Sequence, residues 1–274
     1  MSAETSIPTC YRHDDRETRL SCTRCGRPVC VECVHRADVG QRCPDCAAAE
    51  QQRVVRADEL GGSSGAPVAT GLVIASAAIF VLGYVPELAP RLYFYGIQAN
   101  ELVAAGEWWR LLTAAFLHDG LAHILFNMWA LWALGTNLER QVGSASFAFL
   151  YLAAALGGGL AFYLAVPGGR ALGASGAVFG LFGVWLVSGF RRRNTAAGQA
   201  GFRQMLGLLA LNLALPIFVP GIAWQAHLGG LVVGGVIGAA WLSRPLRGRG
   251  GARRRAVLAA SVAALLFALA LLVA

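Results

Sequence analysis

Between Pro67 and Val273 the chain carries seven apolar stretches, near 67–85, 121–138, 147–166, 175–190, 204–219, 222–242 and 256–273, separated by Gly, Pro, Arg or polar turns. A helix needs about 20 mostly apolar residues to cross a hydrocarbon core roughly 30 Å thick. This patterning constrains the fold more than any other feature and predicts an all-α polytopic membrane protein. The chain is 56% hydrophobic and 14% charged, against about 25% charged in ordinary soluble domains. That balance excludes a disordered or nucleic-acid-binding chain despite the net charge of +8. Residues 1–60 hold no apolar core that reads as a signal peptide.

Ionisable residues are unevenly placed. Residues 1–60 contain nine Arg and ten acids, whereas residues 61–274 contain fourteen Arg and five acids (Glu87, Glu101, Glu107, Asp119, Glu139); there is no Lys. Arg in short loops marks the cytoplasmic side. With the N-terminus inside, the inner segments hold thirteen Arg and the outer loops three (Arg91, Arg110, Arg170). The expected arrangement is a multi-pass protein of the cell (plasma) membrane, N-terminus cytoplasmic and C-terminus outside.

Two stretches depart from a plain bundle. The first outer loop, 86–117, is long and contains Trp108 and Trp109, which suits the membrane interface. The fourth stretch has 16 residues from Ser175 to Phe190, about 24 Å of helix, short of the ~30 Å core. Ser175 therefore opens a helix below the outer surface, where irregular backbone survives only beside protein or a water-filled cavity.

Polar groups within spans are costly and are functional candidates by default. They are His123 and Asn127 (i, i+4 on one helix face), Ser175, Asn212, Gln225 and His227. Ser175, His227 and His123 come from three helices and share one layer just below the outer surface. A serine hydroxyl becomes a good nucleophile when a neighbouring base takes its proton, and His227 is the candidate base. The free backbone N–H of Ser175 at a helix start, with His123 and Asn127, offers donors for an oxyanion hole. No acid lies at this depth, so a Ser–His dyad is expected. Gly176-x-x-x-Gly180 and Gly230-x-x-x-Gly234-x-x-x-Gly238 predict close approach of the two helices that carry the dyad. His118 is expected to be structural, about 140° around the helix from His123 and unable to share its face. Trp109 and Arg110 read as interfacial anchors, and Glu139 and Arg140 as the cap and anchor of the inner end of the second span. Asn212 and Gln225 stay unassigned.

With these motifs in register, the chain resembles the rhomboid intramembrane serine proteases over about 67–243. The matching residues are Trp109-Arg110, His118, His123-x-x-x-Asn127, Gly173-x-Ser175-Gly176 and Ala226-His227-x-x-Gly230. The resemblance implies a six-helix rhomboid core with a seventh transmembrane helix added after it. It implies Ser175 as nucleophile, His227 as base, and His123, Asn127 and the Ser175 N–H as oxyanion hole. The family often places an aromatic one turn after the serine beneath the catalytic His, and Phe179 fills that position. Loop 216–221 and the fifth span are implied to form a mobile cap and side gate.

All seven Cys lie between positions 10 and 46. Cys10-x-x-His13, Cys22-x-x-Cys25, Cys30-x-x-Cys33 and Cys43-x-x-Cys46 supply eight ligands, enough for two tetrahedral zinc sites. An odd number of Cys in a reducing compartment does not suit disulfides. The module resembles the B-box/RING-like double-zinc fold, which would interleave the first pair with the third and the second with the fourth; sequential pairing also fits. The zinc is expected to be structural, since so small a core rarely folds without metal, and catalysis to need no cofactor.

The expected organisation is a cytoplasmic zinc module over 1–50, a linker over 51–66, the protease core over 67–243, and a basic loop with the seventh helix over 244–274. The expected activity is hydrolysis of peptide bonds in or next to transmembrane segments of protein substrates in the bilayer, through an acyl-enzyme. An inactive rhomboid-like chaperone or scaffold that binds transmembrane helices is the alternative. A transporter would show internal repeats and midplane charges, and neither is seen. The cysteine module is expected to serve a protein partner; its near-neutral charge argues against nucleic acid.

Overall fold

The computed structural model describes residues 7–37, 39–50, 65–243 and 250–273. Most of the expected linker, and Arg244, Arg247 and Arg249 of the basic loop, lie outside the described residues. The chain separates into two compact units, Met1–Arg56 and Ala57–Ala274.

The first unit is built from two antiparallel ribbons and one short helix. Strand β1 (Thr9–Cys10) pairs with β2 (His13–Glu17), β3 (His35–Arg36) pairs with β4 (Gln41–Arg42), and α1 (Pro44–Glu50) follows. Its buried cluster is Cys10, Cys22, Val29, Cys30, Cys33 and Cys43. Sulfur thus takes the place that branched apolar side chains fill in a larger core.

The second unit is helical. In chain order it contains α2 (Pro67–Leu82), α3 (Ala89–Gly96), a two-residue strand β5 (Gln98–Ala99), α4 (Asn100–Val103) and α5 (Arg110–Thr113), which tightens into a 3-10 turn at Ala114–Phe116. Next come α6 (Leu121–Ala130), a π-helical stretch at Leu131–Gly135, α7 (Thr136–Val142) and α8 (Ser144–Ala165). After β6 (Arg170–Ala171), which pairs with β5, follow α9 (Ser175–Arg191), α10 (Ala196–Phe218), α11 (Trp224–Trp241) and α12 (Gly251–Val273).

Helices occupy all seven expected stretches. By length and composition three of them among the described residues are able to cross a membrane, α8, α10 and α12, and a fourth arises if Arg110–Phe116 and Leu121–Val142, bent by 97°, count as one span. The apolar α2 and α9 are shorter, at 16 and 17 residues, about 24–26 Å of helix. Helix α10 starts eight residues before the expected span, because Thr195 caps it by accepting from the Gly198 N–H at 3.1 Å. Arg203, just before the expected stretch at 204–219, therefore lies on this helix.

Two charged residues play parts other than those expected. Glu139 is fully buried and caps α2, not the end of its own helix. Its carboxylate accepts from the Val68 N–H at 3.1 Å and the Ala69 N–H at 2.8 Å, and Ser144 Oγ donates to it at 2.6 Å. Ala66 at the N-cap offers no side-chain acceptor, so an acid from 70 residues away satisfies those orphan donors. Arg110 is equally buried, not an interfacial anchor. Its Nη1 donates to the Phe94 and Ile97 carbonyls at 2.7 and 2.9 Å, and its Nε to Glu107 at 2.7 Å. It ties the segment before β5 to α5. The neighbouring Trp109, 38% exposed, keeps the surface position expected of it.

Candidate active site

Three sequence segments meet where α9 begins. Gly173 has a φ of +118°, and a Cβ there would come within 2.6 Å of His123 Nε2, so only glycine serves at this turn. The Gly173 N–H donates to the Ala114 carbonyl at 2.9 Å and the Ala174 N–H to His118 Nε2 at 3.4 Å. This fixed turn delivers Ser175 as the first residue of α9, where backbone N–H groups have no intrahelical acceptor.

His227, four residues into α11, is buried, and its Nε2 lies 2.8 Å from Ser175 Oγ. Phe179 lies flat against the imidazole, with ring centroids 4.2 Å apart and planes within 10°. His227 Nδ1 has no hydrogen-bond partner among the described residues, which supply no third member behind the ring. Glycine permits the approach: a Cβ at Gly230 would overlap the Gly176 carbonyl, and one at Gly234 the Gly180 carbonyl. Helices α9 and α11 therefore touch backbone to backbone.

Helix α6 brings His123 to the same place, with Asn127 one turn further along. Asn127 is buried and its Nδ2 donates to the His123 carbonyl at 3.0 Å. His123 Nδ1 lies 2.6 Å from Asp119 Oδ1; a carboxylate there takes the Nδ1 proton as its donor, and Nε2 is left facing the Gly173 turn. Sequence reasoning looked for an acid behind His227 and left Asp119 in the loop. Its i, i+4 spacing from His123 was the available signal. His118 precedes the helix, so the 140° separation does not apply, and its ring meets that of His123 edge-on at 5.0 Å.

A cavity of about 40 Å³ opens beside Ser175, lined by Gln98, Leu111, Ala114, Ala155, Gly159 and Ala171 among others. Gln98, buried on β5, donates from Nε2 to the Gly159 carbonyl and to Asn100 Oδ1, both at 2.9 Å. Neither Gln98 nor Asn100 drew attention in the sequence, although two amides within three residues of the first outer loop were the sign. Among the described residues, Asn212 donates only to the Leu208 carbonyl of its own helix, at 2.8 Å.

In the first unit the eight Cys and His residues form two groups. Cys10, His13, Cys30 and Cys33 make one, and Cys22, Cys25, Cys43 and Cys46 the other, with ligand atoms in each within 4.8 Å of one another. The pairing is interleaved, not sequential. His13 turns Nδ1 toward Cys10, Cys30 and Cys33 Sγ at 3.9, 3.5 and 3.4 Å, and Cys25 and Cys43 Sγ are 3.8 Å apart. A tetrahedral ion with roughly 2.3 Å bonds to sulfur holds sulfurs about 3.8 Å apart, so both groups fit a metal ion. Their protons are shared unequally. Burial raises the Cys10 thiol, but the Arg12 and Cys30 backbone and the His13 side chain outweigh it and hold it at about 6. Burial, with Cys30 and Cys10 alongside, pushes Cys33 up to about 11. Crowded thiols do not all ionise without a cation among them. Arg27 donates to Cys25 Sγ at 3.4 Å and Cys43 Sγ at 3.7 Å, offsetting charge at the four-thiol group.

The chain is similar to the rhomboid protease GluP of Bacillus subtilis (strain 168), 41% identical over 159 residues, which are 58% of this chain and 31% of that protein. It is similar to YdcA of the same bacterium, 35% identical over 170 residues, covering 61% of this chain and 85% of that one. RHOMBOID-like protein 4 of Arabidopsis thaliana is 36% identical over 151 residues, 55% of this chain and 38% of its own length. The chain thus spans about a third of the length of two of these relatives and most of YdcA. The rhomboid domain model matches residues 105–244, the region that holds Ser175, His227, His123 and Asn127 and just over half of the sequence; this multi-pass membrane protein belongs to the rhomboid family.

Proposed function

We propose that the chain is an intramembrane serine endopeptidase that hydrolyses peptide bonds in or next to transmembrane segments of protein substrates. The observation that carries this reading is the 2.8 Å contact between Ser175 Oγ and His227 Nε2, with Phe179 stacked on the imidazole. His227 takes the hydroxyl proton as Oγ attacks the scissile carbonyl. The tetrahedral oxyanion is met by the Ser175 backbone N–H, with His123 and Asn127 as side-chain donors. Collapse of that intermediate breaks the C–N bond, and the His227 proton passes to the leaving amine. Water, deprotonated by the same imidazole, then hydrolyses the acyl-enzyme and returns Ser175. The cavity beside Ser175, about 40 Å³, has room for no more than a few water molecules. We read it as the seat of the side chain next to the scissile bond, which must be small.

The Arg asymmetry supports a plasma-membrane topology with the N-terminus cytoplasmic and the C-terminus outside. The two Cys/His groups would each hold one Zn²⁺, through Cys10, His13, Cys30 and Cys33 and through Cys22, Cys25, Cys43 and Cys46. Thiolate and imidazole donors at tetrahedral spacing suit zinc. The metal would fold the module and present it to a protein partner. The deciding experiment incubates the purified chain with a model transmembrane substrate, beside Ser175→Ala and His227→Ala. Cleavage by the parent and none by either variant is expected. Binding of the substrate without cleavage would favour a scaffold.

A further inference from the structure

Helix α12 lies outside the six-helix core, yet its far half is not simply exposed to lipid. Leu265 and Leu272 are 71% and 83% exposed, whereas Ala270 is fully buried. The buried face packs on two elements at once. Phe267 meets Trp108 edge-on, with centroids 4.9 Å apart. Ala270 joins Val103, Leu111, Leu156 and Leu160 in one apolar cluster, with Leu266, Phe267 and Val273 against it. Tyr163 of α8 donates its hydroxyl to the Val273 carbonyl at 2.8 Å, fixing the end of the helix.

Leu111 links this packing to the site. Its side chain belongs to the α12 cluster, and it also lines the cavity beside Ser175. Its backbone lies so close to α8 that a Cβ at Gly159 would come within 2.9 Å of the Leu111 carbonyl. One wall of the cavity is therefore held between α8 on one side and α12 on the other. Close-packed interiors transmit displacement instead of absorbing it.

Resting on the reading of that cavity as the seat of the substrate side chain, we infer that α12 is a specificity-determining brace. Through Phe267 and Trp108 it presses the Val103–Leu111 segment onto α8 and so keeps the cavity small. Phe267 acts as a positioning residue and touches neither Ser175 nor His227. Small changes of such a wall carry weight, because one methylene in an apolar pocket alters selectivity by about 10–200-fold.

The test uses the full chain in detergent and two model substrates that differ only in Ala or Leu before the scissile bond. Phe267→Ala is expected to lower the Ala-over-Leu ratio of kcat/KM several-fold, chiefly by raising turnover of the Leu substrate. Turnover of the Ala substrate should stay within about threefold. Tyr163→Phe, which keeps the ring and loses only the hydroxyl, should shift the ratio the same way by less. Leu272→Ala, on the exposed face, should leave it unchanged. Hydrogen–deuterium exchange over 103–114 should speed up in Phe267→Ala and not in Leu272→Ala. An unchanged ratio with unchanged exchange, or equal slowing of both substrates, would overturn the brace while leaving Ser175-dependent hydrolysis intact. A parent chain with no Ser175-dependent hydrolysis would instead remove the protease reading. The exchange comparison then decides the brace alone: faster exchange in Phe267→Ala sustains it and identical exchange overturns it.

Discussion

Phe179 holds His227 in place by stacking: the rings are parallel within 10° at 4.2 Å, one helical turn beyond Ser175. The imidazole lacks a partner at Nδ1 among the described residues, so this face is what fixes its plane. An aromatic pair contributes about 0.5–1.5 kcal/mol beyond area burial. Phe179→Leu keeps the apolar volume and removes the flat surface. It should lower kcat up to about tenfold with KM little changed, measured on a model transmembrane substrate. Equal kcat in the two proteins would mean that α11 packing alone sets the ring.

Asn127 lies one turn along α6 from His123, and its Nδ2 donates to the His123 carbonyl at 3.0 Å. An amide nitrogen carries two N–H groups, so a second donor is left for an oxyanion. Removing one such donor costs roughly 10²–10³ in rate in a well-studied serine protease. Asn127→Ala should fall in that range at unchanged expression and thermal stability. Loss of fold with normal turnover per folded molecule would make Asn127 interhelical glue.

Asp119 orients His123. With Nδ1 held by the carboxylate at 2.6 Å, Nε2 is aimed at the turn that carries Ser175. Asp119 is 68% exposed, so its loss should leave the fold intact. Asp119→Ala should reduce kcat about tenfold with KM unchanged, the signature of a contact made only in the transition state. Asp119→Glu, with reach to the same nitrogen, should restore most of it. Wild-type kcat in the alanine variant would show that helix α6 alone orients the ring.

What was legible in the sequence follows from range and periodicity. Ser175, His227, His123 and Asn127 announce themselves because polar groups stand out against apolar helices, and their positions within spans place them in one layer. The interleaved Cys/His groups rested on a resemblance, since spacing alone allowed sequential pairing too. Glu139 and Arg110 were misjudged for a common reason. Each sits in a polar segment that reads as surface, and each is buried by partners distant in sequence: Val68 and Ala69 for Glu139, Phe94 and Ile97 for Arg110. Asp119 was missed because it precedes α6, which begins at Leu121, and reads as a loop acid; His118, expected to be structural, also precedes that helix, so a helical wheel drawn through 118–127 does not describe it. The early start of α10 was hidden by Gln199 and Arg203, polar residues on a helix that the described contacts leave largely uncovered, with Leu209 its one buried residue.

Glu139 should matter for stability more than for chemistry. Replacing it by Ala orphans the Val68 and Ala69 N–H groups and the Ser144 hydroxyl, in surroundings where Ala69 and Glu139 are fully buried. An unsatisfied buried donor costs about 1–3 kcal/mol. Glu139→Ala should therefore lower the unfolding temperature in detergent markedly. Glu139→Gln, which keeps an acceptor oxygen, should lower it less. Activity per folded molecule should be near wild type in both. An unchanged unfolding temperature in the alanine variant would mean that water or lipid headgroups cap α2 equally well.

The interleaved ligand groups make a sharper prediction than metal content alone. Elemental analysis of the full chain should find about two zinc ions, one for each four-ligand group. Losing two ligands from one group should remove one ion, and losing one from each should weaken both. Thus Cys10→Ser with Cys30→Ser should leave one equivalent bound, as should Cys22→Ser with Cys43→Ser. Cys10→Ser with Cys22→Ser should bind less than either, because both groups are then left with three ligands. The pattern follows from which side chains share an ion, and ligand changes within one group are not additive. Chelation should unfold the first unit, whose buried cluster consists of Cys10, Cys22, Cys30, Cys33, Cys43 and Val29, and far-ultraviolet circular dichroism of residues 1–50 would register it. One equivalent remaining in the Cys10/Cys22 variant and none in the Cys10/Cys30 variant would refute the interleaved assignment, and a metal-free parent would refute the zinc sites altogether.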